Sequence, residues 1–321
     1  MKKLLSDIAN QMNCANPTAR FAFEFWDGET LVYGDQPEVW LRLKTKESAQ
    51  QLLTNGFLGF AEAYMAGELE VEGNLQELLR LGYSIEFDKH SLSFWQKMHF
   101  LLHRLGTRNT SSRVPKNISH HYDRGDEFYA LYLDNTMTYS CGYFTSETDS
   151  LEQAQRNKYE HICRKLALQP GEKLVDIGCG WGGMLIYAAQ KYGIKGLGNT
   201  LSRNQCECAM RKIEELGLQN QIEVVLADYR DLTGQFDKFV SIGMFEHVGK
   251  AFIPVFMHKI SNLLKEGGTG LLHTIGKNTE SPSDPWIMKY IFPGGYIPKF
   301  TEIVREMGRA GFPIMDVENL R

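Results

Sequence analysis

Three glycines, Gly178, Gly180 and Gly183, follow Asp176 in the run Val175-Asp-Ile-Gly-Cys-Gly-Trp-Gly-Gly183. A strand that ends in a carboxylate and turns through glycines into a helix suits a ligand that comes close to the backbone, where any Cβ would obstruct it. The carboxyl end of a strand is also where open α/β sheets bind their ligands. The spacing Gly-x-Gly-x-x-Gly satisfies the dinucleotide fingerprint, so nicotinamide chemistry has to be weighed. That fingerprint wants an acidic residue at the tip of the second strand, and Asn199-Thr-Leu-Ser-Arg-Asn-Gln205 has none there. Thr200, Ser202 and Gln205 offer hydroxyl and amide groups to a ribose instead, although a serine in that place also commonly caps a helix. Tyr229, in Ala227-Asp-Tyr-Arg230, has the face to stack on a purine. No His–Asp relay is visible beside Cys141 or Cys179, so neither is read as a covalent nucleophile.

A loop of this kind needs a parallel sheet to carry it. After residue 160 the chain alternates strands and helices. Strands are expected at Lys173–Ile177, Lys195–Gly198, Ile222–Leu226, Phe236–Ile242 and Thr269–Thr274. Helices are expected at Gly182–Tyr192, Arg203–Leu216 and Phe252–Leu264. The first hundred residues read as a smaller α+β domain. Phe21, Phe23 and Phe25 share one strand face, Asp27-Gly28 turns the chain into Thr30–Tyr33, and Val39–Leu43 alternates again. From Ser48 the spacing is helical to near Gly67. The resulting expectation is an α/β fold with domains at 1–105 and 118–321 and a turn-rich linker at 106–117, consistent with a length of 321 residues.

Six blocks in order resemble the cyclopropane synthase and mycolic acid cyclopropane synthase family. They are Ile118-Ser-His-His-Tyr-Asp, Met137-Thr-Tyr-Ser-Cys-Gly-Tyr-Phe144, the glycine loop, Thr-Leu-Ser-x-x-Gln205, Ser241-Ile-Gly-Met-Phe-Glu-His-Val-Gly249 and Ile291-Phe-Pro-Gly-Gly-Tyr-Ile-Pro298. The resemblance implies a Rossmann-like class I fold that binds S-adenosylmethionine (SAM), and the extra N-terminal domain is similar to the longer, phospholipid-modifying branch. It implies SAM contacts from Tyr139, Ser140, Asp176, Gly178, Cys179, Gly180, Gly182, Thr200, Leu201, Ser202, Gln205, Tyr229 and Arg230. It also implies a bicarbonate ion held by Cys141, Glu246, His273 and Ile275. Asn199 and Arg230 depart from the family's more usual residues.

The implied reaction is methyl transfer from SAM to a cis alkene, stabilisation of a carbocation, and proton loss to bicarbonate to close a cyclopropane ring. Such a site must exclude water and face the cation with aromatic rings. Tyr122, Tyr143, Phe144, Phe245, Phe292 and Tyr296 are candidates for that wall, and each could equally belong to the core. An anion beside Glu246 is tolerable if one partner carries a proton, with Glu246 accepting the bicarbonate O–H. Methylation of another lipid or small acceptor without ring closure is the alternative.

The formal net charge of −4 offers no global attraction to nucleic acid, and none is expected as a partner. The expected partner is an unsaturated phospholipid in a membrane surface, with a homodimer left open. No apolar run approaches the ~18 residues of a membrane span, and the N-terminus does not read as a signal peptide. The six cysteines show no metal-type pairing, and the expected location is cytoplasmic, peripheral to the inner face of the membrane. Residues 89–116 carry six basic and no acidic side chains with Phe94, Trp95 and Phe100 among them. They suit an anionic lipid surface and equally a packed inter-domain helix. The family continues past residue 321 with a tyrosine and a last strand, so the fold is expected to be C-terminally incomplete. A strand beginning near Pro313 is expected to lack its neighbour.

Overall fold

The computed structural model describes residues 1–85, 125–279 and 284–320. They fall into two compact units, one formed by the described residues of the first 108 with Asp284–Lys289, the other by the rest.

In the first unit a four-stranded sheet has the order β2-β1-β3-β4, from β1 (Phe21–Glu24), β2 (Thr30–Tyr33), β3 (Val39–Leu43) and β4 (Leu69–Gly73). The Asp27-Gly28 turn forms as expected, with Gly28 N–H donating to Phe25 O at 2.9 Å. Phe21, Phe23 and Phe25 are all buried. Helix α1 (Lys2–Ala15) covers them with Leu5, Ala9 and Met12, an i, i+4, i+7 stripe. Helix α2 (Lys46–Met65) begins two residues before Ser48, because Thr45 Oγ1 accepts the Ser48 N–H at 3.0 Å and caps it. α3 (Leu75–Ser84) completes the unit.

The second unit holds a five-stranded, wholly parallel sheet of order β7-β6-β5-β8-β9. Its strands are β5 (Lys173–Ile177), β6 (Lys195–Thr200), β7 (Ile222–Leu226), β8 (Phe236–Ile242) and β9 (Leu264–His273). The helices are α4 (Asp126–Ala130), α5 (Leu151–Lys165), α6 (Gly183–Tyr192), α7 (Arg203–Glu215), α8 (Ile253–Leu263) and α9 (Phe300–Arg309). One core cluster joins α5, α6 and α7 to the sheet, and another joins α8 and α9 to it. Strand order reverses between β6 and β8 on either side of β5, the crevice where doubly wound sheets take ligands.

No strand forms at 313–320, which overturns the expectation for Pro313. A strand needs a ladder partner, and here the segment's side chains pair with α5 instead. Glu318 Oε2 lies 2.6 Å from Lys165 Nζ and 2.7 Å from His161 Nε2.

Candidate active site

β5 delivers Asp176 to the sheet's carboxyl edge, and the chain then turns through Gly178 (φ 80°) and Gly180 (φ 55°), both in the left-handed region that disfavours a side chain. The turn is clamped by its neighbours. Gly178 and Cys179 donate their N–H groups to Asn199 O at 3.1 and 2.9 Å, and Asn199 Nδ2 donates to Ala227 O at 3.0 Å. Asn199 thus ties the tips of β5, β6 and β7 together. A Cβ on Gly178 would stand 2.4 Å from Met244 Cγ, whereas one on Gly180 would meet nothing within 4 Å and enter the cavity that the loop borders.

That cavity has an empty volume of about 1110 Å³ including the open solvent at its mouth. Of the residues expected to hold SAM, Tyr139, Ser140, Asp176, Gly178, Cys179 and Gly180 line it, and so do Thr200, Leu201, Gln205, Tyr229 and Arg230. Gly182 and Ser202 stand behind the wall. Gly182 turns the chain into α6 beside Ala209, and Ser202 caps α7 by accepting the Gln205 N–H at 3.3 Å. Thr200 Oγ1 donates to Gln205 Oε1 at 2.7 Å, which leaves the Gln205 amide N–H₂ as a donor toward a ligand. Arg230 is spoken for: its Nε and an Nη clasp Asp228 at 2.8 and 2.6 Å. Asp228, Asn199 and His247 also line the cavity, and the sequence reading did not single out Asp228 or His247.

Asp176 is 2 % exposed, and its Oδ1 meets no hydrogen-bond donor among the described residues. Burial alone pushes its pKa up to about 7. A dry, unsatisfied carboxyl beside an open glycine loop fits a ligand that brings its own cation, as the ammonium of SAM's methionine part would.

A second cluster adjoins the first, because Cys141 follows the wall residues Tyr139 and Ser140, and Glu246 lies between the wall residues Met244 and His247. Cys141 Sγ is 3.4 Å from Nε2 of His273, the last residue of β9. Glu246 Oε1 accepts the Ile275 backbone N–H at 2.6 Å, so Ile275, whose side chain is 60 % exposed, contributes its backbone. Tyr296 N–H donates to Glu246 O at 2.8 Å and holds that turn from outside. Glu246 Oε2 and His273 Nδ1 are buried with no partner among the described residues. Burial raises the Glu246 pKa against the Ile275 hydrogen bond, and burial followed by the charge of Lys158 lowers that of His273. Both groups are thereby biased toward their neutral forms. Lys158 itself was not read from the sequence. The signal was there in α5, whose buried stripe of Ala154, Tyr159, Ile162 and Cys163 also contains Gln155 and Lys158.

The aromatic candidates divide. Phe245 is 1 % exposed and packs its ring 5.0 Å from Phe256, so it is a core residue and not a wall residue. Tyr143 stacks on His161 at 4.6 Å, Phe144 is exposed, and Tyr296 donates its hydroxyl to Glu302 at 2.5 Å. Phe292 stands edge-on to His247 at 5.3 Å, next to the cavity. Tyr122 lies outside the described residues. Tyr139, two residues before Cys141, lines the cavity within a group of rings that includes Tyr129, Tyr132 and Trp181.

Residues 109–321 match the family described as mycolic acid cyclopropane synthetase, and residues 9–92 match a domain of unknown function. The chain is 38 % identical over 269 residues to the cyclopropane-fatty-acyl-phospholipid synthase of Escherichia coli K12, covering 83 % of this chain and 68 % of that one. It is 35 % identical over 310 residues to a probable fatty acid methyltransferase of Pseudomonas putida, covering 93 % and 76 %. The mycolic acid cyclopropane synthase CmaA1, solved with SAH and CTAB, superposes with a TM-score of 0.60 at 33 % identity over 64 % of this chain and 77 % of that one. With the glycine loop, the parallel sheet and the cavity at its carboxyl edge, these matches settle the family: the chain belongs to the mycolic acid cyclopropane synthetases and is a SAM-dependent methyltransferase of the class I fold.

Proposed function

We propose that this enzyme adds a methylene group from SAM across the cis double bond of an unsaturated phospholipid acyl chain, closing a cyclopropane ring with bicarbonate as the base. The observation that carries the reading is the pair of buried atoms without a partner among the described residues, Glu246 Oε2 and His273 Nδ1, in a cluster that adjoins the SAM cavity. A plain methyl transfer to a nucleophile needs no such second site, whereas ring closure must dispose of a proton from the added carbon. When bound, SAM supplies an electrophilic methyl group and bicarbonate supplies a weak base.

The protein's own groups do the rest. Asp176 meets the methionine ammonium, Gln205 and Thr200 address the ribose, and Tyr229 flanks the purine. Glu246, its Oε1 fixed by the Ile275 N–H, accepts the bicarbonate O–H at Oε2, His273 holds another oxygen, and Cys141 stands beside His273. Tyr139 offers its face to the developing cation while the surrounding rings exclude water. The same reading places the enzyme at the cytoplasmic membrane surface with the segment 1–105 as a lipid-contact domain, and it leaves a homodimer open. No helix among the described residues is long and apolar enough to cross a membrane.

A second reading, methylation of the acyl chain without ring closure, is favoured by the likeness to the P. putida methyltransferase over nearly the whole chain. Both are tested by incubating the enzyme with SAM and vesicles of a cis-monounsaturated phospholipid, with and without bicarbonate, and taking the proton NMR spectrum of the released acyl chains. Cyclopropane ring protons that appear in proportion to bicarbonate support the first reading. Exomethylene or methyl-branched olefinic chains, formed by loss of a proton from the same cation without ring protons appearing, would replace it by the second.

A further inference from the structure

Lys158 is 3 % exposed, on the face of α5 that packs against the sheet. Its ammonium donates to Ser140 Oγ at 2.6 Å, and among the described residues no carboxylate pairs with it. An ammonium has three N–H groups, and burying it without a counter-ion is expensive. The expense shows as a pKa pushed down by burial to about 8, even though the charge of buried Asp134, which forms no ion pair with Lys158, opposes the shift. A protein that keeps a lysine in such a place has an anion for it to meet, or uses it only as a tether.

The surroundings favour the anion. Gln155, one turn earlier on α5, donates to Ser140 O at 2.8 Å, so the backbone at Ser140–Cys141 already has a neutral tether. Cys141 reaches the cluster through His273, and the field of Lys158 is felt there, since it helps to lower the His273 pKa. The cluster's other ionisable member, Glu246, is a carboxyl group. Glu246, biased by burial toward its neutral form, has to ionise to accept a bicarbonate O–H, and the ionised carboxylate would then repel the anion unless a fixed positive charge stood close behind.

We propose that Lys158 is the buried counter-charge of the anion cluster formed by Cys141, Glu246, His273 and the Ile275 N–H, acting as a positioning residue through Ser140. This deepens the reading given above and rests on the cluster being an anion site. The charge, not the hydrogen bond to Ser140, is what the cluster needs.

Calorimetric titration of bicarbonate into the SAH-saturated enzyme tests this, using the parent, Lys158→Met and Lys158→Gln. The glutamine can still donate to Ser140 but carries no charge. Both variants should bind bicarbonate about tenfold more weakly or worse, with SAH affinity held within roughly threefold of the parent. Bicarbonate binding by Lys158→Gln at parental strength would overturn the proposal and leave Lys158 a hydrogen-bonded tether. Equal losses of SAH and bicarbonate affinity in both variants would overturn it too, by showing a general collapse of the wall. If the parent itself takes up no bicarbonate, the anion cluster fails as a whole, a result distinct from the variant-specific ones, and Lys158 loses this role with it.

Discussion

A buried carboxyl whose Oδ1 meets no donor among the described residues favours its protonated form, and Asp176 is in that position. Two outcomes follow from its pKa of about 7. Under the proposed contact with the methionine ammonium, SAM binding ionises it, so SAM affinity should fall as pH drops below about 7, measurable by calorimetry across pH 5.5–8 in buffers of different ionisation heat. The ligand-free protein shows the opposite face of the same linkage. A carboxyl whose folded pKa is raised stabilises the fold most below the unfolded value near 3.8 and loses that contribution as pH rises to about 7. Asp176→Asn should therefore raise the stability of the free protein at pH 8 by roughly 1–3 kcal/mol, with the gain vanishing toward pH 4, while SAM binding is lost. A variant equally stable at both pH values would show that the carboxyl is partnered. Glu246→Gln makes a different point. It should leave SAM affinity unchanged and lower turnover by ~100-fold or more, because an amide presents N–H where the anion needs an acceptor. Turnover unaffected by the change would remove Glu246 from the chemistry. The sequence named Asp176, Glu246 and His273 because a glycine loop and six ordered blocks surround them. It was silent on Lys158, since a lysine in a helix is ordinarily a solvated one and only the neighbouring apolar stripe marks this one as buried.

At the scale of elements, the period-2 and period-3.6 patterns located β5, β7 and β8 to the residue. A parallel strand covered on both faces is a continuous apolar run between turn residues, the easiest signal to read. β9 starts five residues before Thr269, in the glycine-rich Leu264–Gly268 stretch, where a register irregularity against Phe236 and Lys238 accommodates residues that look like a loop. α1 and α5 escaped because their exposed faces are strongly polar and their apolar stripes narrow. The glycine loop was legible as a turn, yet its packing was not. The Met244 side chain occupies the space beside Gly178, so Gly178→Val has to displace it and also hold a β-branched residue at φ 80°. SAM affinity in that variant should be lost beyond calorimetric detection. The first unit has its own core, and its helices should persist by circular dichroism. Retained SAM affinity would mean that the loop does not form the cradle.

For the molecule as a whole the open question is how a protein with no membrane-spanning helix among its described residues reaches an acyl chain. If the substrate is a phospholipid, the enzyme has to dock on the bilayer surface and draw the chain toward Tyr139 and the anion cluster. The segment 89–116 lies outside the described residues, and its composition suits an anionic lipid surface. Six basic side chains with no acidic residue within the segment stand out in a chain whose formal net charge is −4. Each should add on the order of 1 kcal/mol near an anionic leaflet, and the attraction should decay with a screening length of ~10 Å at 0.1 M salt. Phe94, Trp95, Phe100 and Leu101 add apolar groups that suit the interface. Changing Lys97, Arg104 and Arg108 together to Glu reverses three charges, so co-sedimentation with anionic vesicles should collapse at low salt. The parent should show the same loss only as salt is raised. SAM binding should be untouched, because the glycine loop and its clamp at Asn199 belong to the second unit. The comparison with neutral vesicles matters most. A parent that binds neutral and anionic vesicles alike, and a triple variant that binds both as well as the parent, would assign these residues to packing within the protein and move the search for the docking face elsewhere.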